Sequence, residues 1–226
     1  MRAIFLAALL ANWPLGARAI ILAGEITGGS VVGQGGTFIE LDPGGAQVPI
    51  EIGADSFDDP NLYAFNEEQN VRSQSDIAVD IGRDIAAGEL VASHYIAFDP
   101  VRGTVTARIT FDAPIIGVAT STGALDASDH LANTGITYLN PKARGLEGRD
   151  TVFIDPNDLA TLVLSLKATS PGDFVRVFTE RSPGAMTPVP PTIWTFAAGL
   201  VGFLVMRRRR ALGGRAASYH VPRFQR

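Results

Sequence analysis

Residues 104–111 carry the clearest alternation in the chain. Val105, Ala107, Ile109 and Phe111 interleave with Thr104, Thr106, Arg108 and Thr110. This is the period-two pattern of a strand with one buried and one wet face. Residues 160–168 nearly repeat it, setting Leu162, Leu164, Leu166 and Ala168 against Thr161, Val163, Ser165 and Lys167. Residues 90–98 place Leu90, Ala92, His94, Ile96 and Phe98 on a common face. Shorter apolar runs at 37–41, 48–52, 62–66, 77–81, 115–120, 151–154 and 174–179 bring the expected set to about ten short strands. Turn chemistry separates them: Asp42-Pro43-Gly44-Gly45, Asp99-Pro100, Asp155-Pro156-Asn157-Asp158 and Ser170-Pro171-Gly172-Asp173. Many short alternating strands with such turns predict an all-β antiparallel β-sandwich. Ten strands suit a jelly-roll-like arrangement better than a seven-strand immunoglobulin type. One short helix is expected at 127–132. Asp126 would cap it, Asp129 would face the positive end of its dipole, and Asn133-Thr134-Gly135 would stop it.

The two ends follow other patterns. Met1-Arg2 precedes an apolar run at 3–11, and Ala17-Arg18-Ala19 is a small-x-small cleavage site. Residues 1–19 therefore read as a signal peptide with a signal helix, cut after Ala19. At the other end Pro188-Val189-Pro190-Pro191 leads into an uncharged segment at 192–206, followed by Arg207, Arg208, Arg209 and Arg210. At about 1.5 Å per residue this segment spans roughly 22 Å, a marginal transmembrane helix for a hydrocarbon core of about 30 Å. The four arginines should stay cytoplasmic and leave the body outside. The expected organisation is a signal peptide (1–19), a β-sandwich domain (20–180), a Pro/Gly/Ser stalk (181–191), a transmembrane helix (192–206) and a basic cytoplasmic tail (207–226).

A signal peptide at one end, with a proline-rich motif, an apolar helix and an arginine cluster at the other, resembles the PEP-CTERM group of sorting signals, in the variant written Val-Pro-Leu-Pro-Ala. The resemblance covers residues 188–210. Here Thr187 replaces the first Val, Val189 the Leu and Pro191 the final Ala, and residues 211–226 make a longer tail than the group usually carries. The resemblance implies export from a Gram-negative cell, with signal peptidase and an exosortase-type membrane protease as partners. It also implies processing near Pro188, Val189 and Pro190, and release to the surface or an exopolysaccharide matrix. The body is similar to uncharacterised proteins with such tails through Asn61-Leu62-Tyr63-Ala64-Phe65, Ser93-His94-Tyr95 with Phe98-Asp99-Pro100, and Arg144-Gly145-Leu146-Glu147. That group implies no activity.

Charge sharpens the division. The whole chain is at −4, but residues 20–206 hold all 23 acids and ten of the 19 Lys and Arg, a net −13. So acidic a body repels phosphate backbones and disfavours nucleic acid as a partner. It favours divalent cations. With no cysteine, stability must come from packing although export would permit disulfides.

Several constellations invite chemistry. Asp55, Asp58, Asp59 and Asn61 lie within seven residues and could offer oxygen ligands to calcium. The run is not an EF-hand, since Pro60 takes the glycine position and Asn66 the glutamate position. It reads more readily as a solvated loop of Asx turns. Glu67 and Glu68 read as part of a polar turn, and His94 as a hydrogen-bonded core residue. Arg176 shares a face with Phe174 and needs a carboxylate, for which Glu147 and Asp150 are the expected partners. Tyr63, Phe65, Tyr95 and Tyr138 are candidates for stacking on sugar rings, or for the core. The chain contains no Gly-x-Ser-x-Gly elbow, no His-Glu-x-x-His pair and no phosphate loop. No catalytic or cofactor-binding residue is assigned. The expectation is a non-enzymatic surface or matrix protein acting in adhesion or exopolysaccharide association. The alternatives are a secreted polysaccharide hydrolase using carboxylates, and a matrix spacer without a ligand.

Overall fold

The computed structural model describes residues 21–41, 51–139, 141–169 and 171–181. The signal peptide with Ala17 and Ala19, the turn at 42–45 and the start of the 48–52 run lie outside them. So do most of the stalk, Pro188, Val189, Pro190, the 192–206 segment, Arg207, Arg208, Arg209, Arg210 and the tail.

The described chain forms β1 (Ile21–Gly28), β2 (Phe38–Leu41), β3 (Glu51–Ile52), β4 (Leu62–Asn66), β5 (Val71–Arg72), β6 (Ile81–Gly82), β7 (Leu90–Phe98), β8 (Arg102–Phe111), β9 (Ile115–Ala119), α1 (Thr122–Ala127), β10 (Thr137–Tyr138), β11 (Thr151–Ile154), β12 (Thr161–Thr169) and β13 (Asp173–Thr179). A four-stranded antiparallel sheet runs β1-β8-β12-β11. A seven-stranded sheet runs β2-β4-β7-β13-β9-β6, with β5 added beside β7. The protein is thus mostly β, two facing sheets with one short α-helix among the described residues.

The four-stranded sheet follows the alternation. Along β8 every second residue is buried. Its register sets Ile109 opposite Leu162, Ala107 opposite Leu164 and Val105 opposite Leu166. A one-residue slip would turn all of these to water, so burial fixes the register. Their inward face meets Leu62, Ala64, Ile96, Phe98, Val175 and Val177 of the larger sheet to form one core.

The larger sheet departs from simple alternation because both its faces are covered. β4 and β13 are buried at every position. Tyr63, Phe65, Tyr95, Phe174 and Phe178, on the face away from the first core, pack with Ile52, Ile77, Ile85, Leu125 and Leu131 from connecting segments. The connections between strands make a third layer.

Three expectations change. β2 and β4 are parallel, as are β3 and β10, so the sheets are not wholly antiparallel. The long connection from β2 to β4 permits it. β1 is a strand that the pattern did not announce, because Ala23, Gly24 and Gly28 leave it few apolar positions. The helix begins five residues before its expected start. Ser121 caps it, its side chain accepting from Ala124 N–H at 3.3 Å, and a 3-10 turn, Asp129–Leu131, follows. Asp126 does not cap because it lies in the last turn of α1, where its carboxylate pairs with Arg144.

Candidate functional site

The third layer is fastened to the sheet by a buried ionic network. Arg176, in the middle of β13, is fully buried. Its Nε donates to Glu67 Oε2 at 2.6 Å and its Nη2 to Glu67 Oε1 at 2.9 Å. Its Nη1 donates to the Leu125 carbonyl, to Ser128 Oγ and to Asp129 Oδ1. Glu67 also accepts from Ser93 Oγ at 2.6 Å and Tyr138 Oη at 2.5 Å. One guanidinium thereby links β13, the end of β4 and the α1 segment. A second guanidinium, Arg144, reaches Asp126 at 2.5 Å and Asp129 at 2.8 Å. Gly145 follows at φ +110°, where a Cβ would stand 2.7 Å from Thr122 N. Only glycine lets this turn run so close beneath α1.

Burial works against charge on Arg176, but Glu67 outweighs it and raises the pKa above the ordinary arginine value. Burial would likewise raise Asp129, yet Arg144 and Arg176 hold it below the usual carboxylate range. The Arg176 guanidinium lies 5.3 Å from the Tyr95 ring centroid and 5.6 Å from that of Tyr138. Tyr95 and Tyr138 meet edge-on at 5.0 Å. Tyr95 is therefore internal, and Tyr138 is half-buried. Tyr63, Phe65 and Tyr95 are buried, and Tyr63 stacks on Phe57 at 4.0 Å. None of the three forms an exposed sugar platform. The partner of Arg176 is Glu67, not Glu147 or Asp150, so Glu67 belongs to the core rather than to a polar turn.

His94 meets its expectation as a hydrogen-bonded core residue. Its Nδ1 pairs with Asn66 Oδ1 at 2.8 Å and its Nε2 with Thr179 Oγ1 at 3.2 Å. Burial drives its pKa down to about 3.

The acidic loop is tied to its surroundings by hydrogen bonds. Asp55 and Asp58 adopt left-handed φ of 60° and 51°, which Asx residues tolerate. This curls the N–H groups of Asp55, Ser56 and Phe57 around the Asp99 carboxylate at 3.3, 2.7 and 3.1 Å. Asp59 accepts from Asn61 N–H and from Tyr63 Oη, and Asn61 Oδ1 accepts from Thr37 N–H and Oγ1. Among the described residues no group of three or more His, Asp or Glu is placed to hold a metal ion. Asp59 and Asn61, two of the four expected ligands, thus already accept from N–H and O–H donors. Adding calcium after chelation should leave the melting temperature within about 1 °C; a rise of several degrees would restore the cation reading.

A concave feature among the described residues lies elsewhere. A shallow groove of about 460 Å³ opens beside β6 and β11, lined in part by Glu147, Asp150, Val152 and Phe153. Both Asp150 oxygens are engaged, Oδ2 by Glu147 N–H at 2.8 Å and Oδ1 by Lys167 N–H at 2.7 Å. Asp173, at the start of β13, is buried with its Oδ2 unpartnered. Burial first, then the charges of Asp150 and Glu147, push its pKa up to about 7. Sequence reading missed this groove. Its one signal was Phe153 on the wet phase of an alternating run.

Among the described residues no helix is long and apolar enough to cross a membrane. Comparison with protein-family models, characterised proteins and solved structures finds no significant match.

Proposed function

We propose that this is an exported, non-enzymatic binding or structural protein of the cell surface or extracellular matrix, associated with exopolysaccharide. Its acidic, jelly-roll-like sandwich would be carried on a C-terminal sorting or anchor segment. The observation that carries this reading is the order of residues 188–210: a proline-rich break, an uncharged segment, then four consecutive arginines. Such an order orients a membrane helix with the body outside. The further basic residues Arg215, Arg223 and Arg226 fit the same orientation, since Lys and Arg beside a membrane helix favour the cytoplasmic side.

The interior supports a module rather than a hydrolase. A glycosidase needs two carboxylates about 5 to 10 Å apart across a sugar. Glu67, Asp129 and Asp126 are occupied by Arg176 and Arg144. In the groove, Asp150 is held by two backbone N–H groups. Carboxylates so employed serve the fold.

Intact-mass measurement on protein recovered from cell envelope and medium tests the reading. The expected species in the medium lacks residues 1–19 and everything beyond about Pro190. A chain found only in the cytosol, with Met1 retained, would sink export altogether. An envelope-bound chain still ending at Arg226 would leave display standing and remove the processing step.

A further inference from the structure

The groove beside β11 lies along an unprotected sheet edge. β11 closes one side of the four-stranded sheet and pairs with β12 alone. The ladder continues past it, Asp155 N–H donating to the Thr161 carbonyl at 2.8 Å. Bonded residues alternate in an antiparallel pair. Thr151 and Phe153, in phase with Asp155, therefore bond β12, and the backbone groups of Val152 and Ile154 point to the open edge. Val152 lines the groove, with Ile81 and Leu146 as apolar neighbours. Phe153 is 48% exposed.

Natural sheets blunt such edges with bulges, prolines or lysines. The opposite edge, β1, is irregular at two points, between Ile21 and Ala23 and between Ile26 and Gly28. β11 has an unbroken register and no proline or lysine. The edge is left able to pair.

We propose that β11 accepts an extended basic peptide segment of a partner protein as an added strand. Strand addition supplies affinity through main-chain hydrogen bonds and specificity through alternate side chains. Apolar side chains of the segment would settle among Ile81, Leu146 and Val152. Its basic side chains would meet Glu147 and Asp150, the latter fixed by its two backbone donors. The inference is independent of how the C-terminal segment is processed.

The test uses the full chain in zwitterionic detergent and a fluorescent six-residue peptide of alternating lysine and valine, blocked at both ends, read by anisotropy against empty micelles. Saturable binding is expected, at least tenfold tighter than for the glutamate–valine counterpart. N-methylation of the amides facing β11 should abolish it. Val152→Pro removes an N–H that the ladder does not use, which edge strands tolerate. That variant should keep its melting temperature within a few degrees and lose the peptide. Glu147→Gln, which spares the backbone entirely, should weaken binding at least threefold. Equal binding of both charge forms, undiminished binding of the N-methylated peptide, or unchanged affinity in Glu147→Gln would overturn the proposal. Displacement of the peptide by a neutral oligosaccharide would also overturn it, reassigning the groove to a glycan.

Discussion

Arg176→Met should lower the unfolding free energy by about 3–5 kcal/mol, the usual cost of removing one partner from a buried ion pair. Arg176 and Glu67 side chains are both fully buried and joined by two hydrogen bonds. Without the guanidinium, the Glu67 carboxylate would keep only the hydroxyls of Ser93 and Tyr138 in a dry site. The α1 segment would also lose the bonds from Arg176 to Leu125, Ser128 and Asp129. Methionine fills the stem's volume, so the loss reports charge and hydrogen bonding more than a cavity. Glu67→Gln keeps the shape and removes the charge, and should cost about 2 kcal/mol. In urea titrations the double variant should be less destabilised than the two singles added together, by about 1–3 kcal/mol. Strict additivity, or a loss below about 1 kcal/mol for Arg176→Met, would show that the network does not clamp the third layer.

The second large effect is a gain. Asp173→Asn should stabilise the protein at pH 8 by about 2–4 kcal/mol and leave it nearly unchanged at pH 4. The Asp173 carboxyl is pushed up to about 7 in the folded chain, against about 3.9 when unfolded. Below pH 4 both states hold the proton, and the group contributes nothing to pH dependence. Between pH 4 and 7 only the folded state holds it, so stability falls as pH rises. Above pH 7 the full cost of a buried charge beside Asp150 and Glu147 is present. At about 1.4 kcal/mol per pKa unit the shift sets a ceiling near 4 kcal/mol.

His94 acts in the opposite sense. Its pKa is about 3 when folded, so stability is lost as pH falls from about 6.5. The two slopes oppose each other between pH 4 and 6.5 and flatten the profile of the native protein. Asp173→Asn should unmask the histidine slope. The difference between the two profiles, measured by denaturant titration at pH 4, 6 and 8, isolates Asp173. A pH-independent difference would mean that this carboxyl does not titrate in the folded state as described.

What could be read along the chain and what could not divides by range. The alternations of β8 and β12 were legible because each strand meets core on one side and water on the other. The same reasoning set Arg176 and Phe174 on one face of β13, and Phe174 does pack in the core opposite to that of Val175 and Val177. His94 was legible as a core histidine because its face also carries Ile96 and Phe98.

Other features depended on neighbours in space. Arg176 visibly needed a carboxylate, but its partner Glu67 lies 109 residues away. The order β4-β7-β13 makes them neighbours. Asp126 looked like a helix cap, but the helix starts earlier, at Thr122, and leaves Asp126 in its last turn facing Arg144. The acidic loop gave no sign that its N–H groups converge on Asp99, 42 to 44 residues away. Periodicity is a local record of which side chains meet water, so it disclosed faces and the long alternating strands, and a count of charges disclosed the division between body and ends. Pairing of buried charges, parallel register and the open edge at β11 depend on which strands lie side by side. Only the tertiary structure decided these, because burial makes every charge seek a partner and chain topology selects the one within reach.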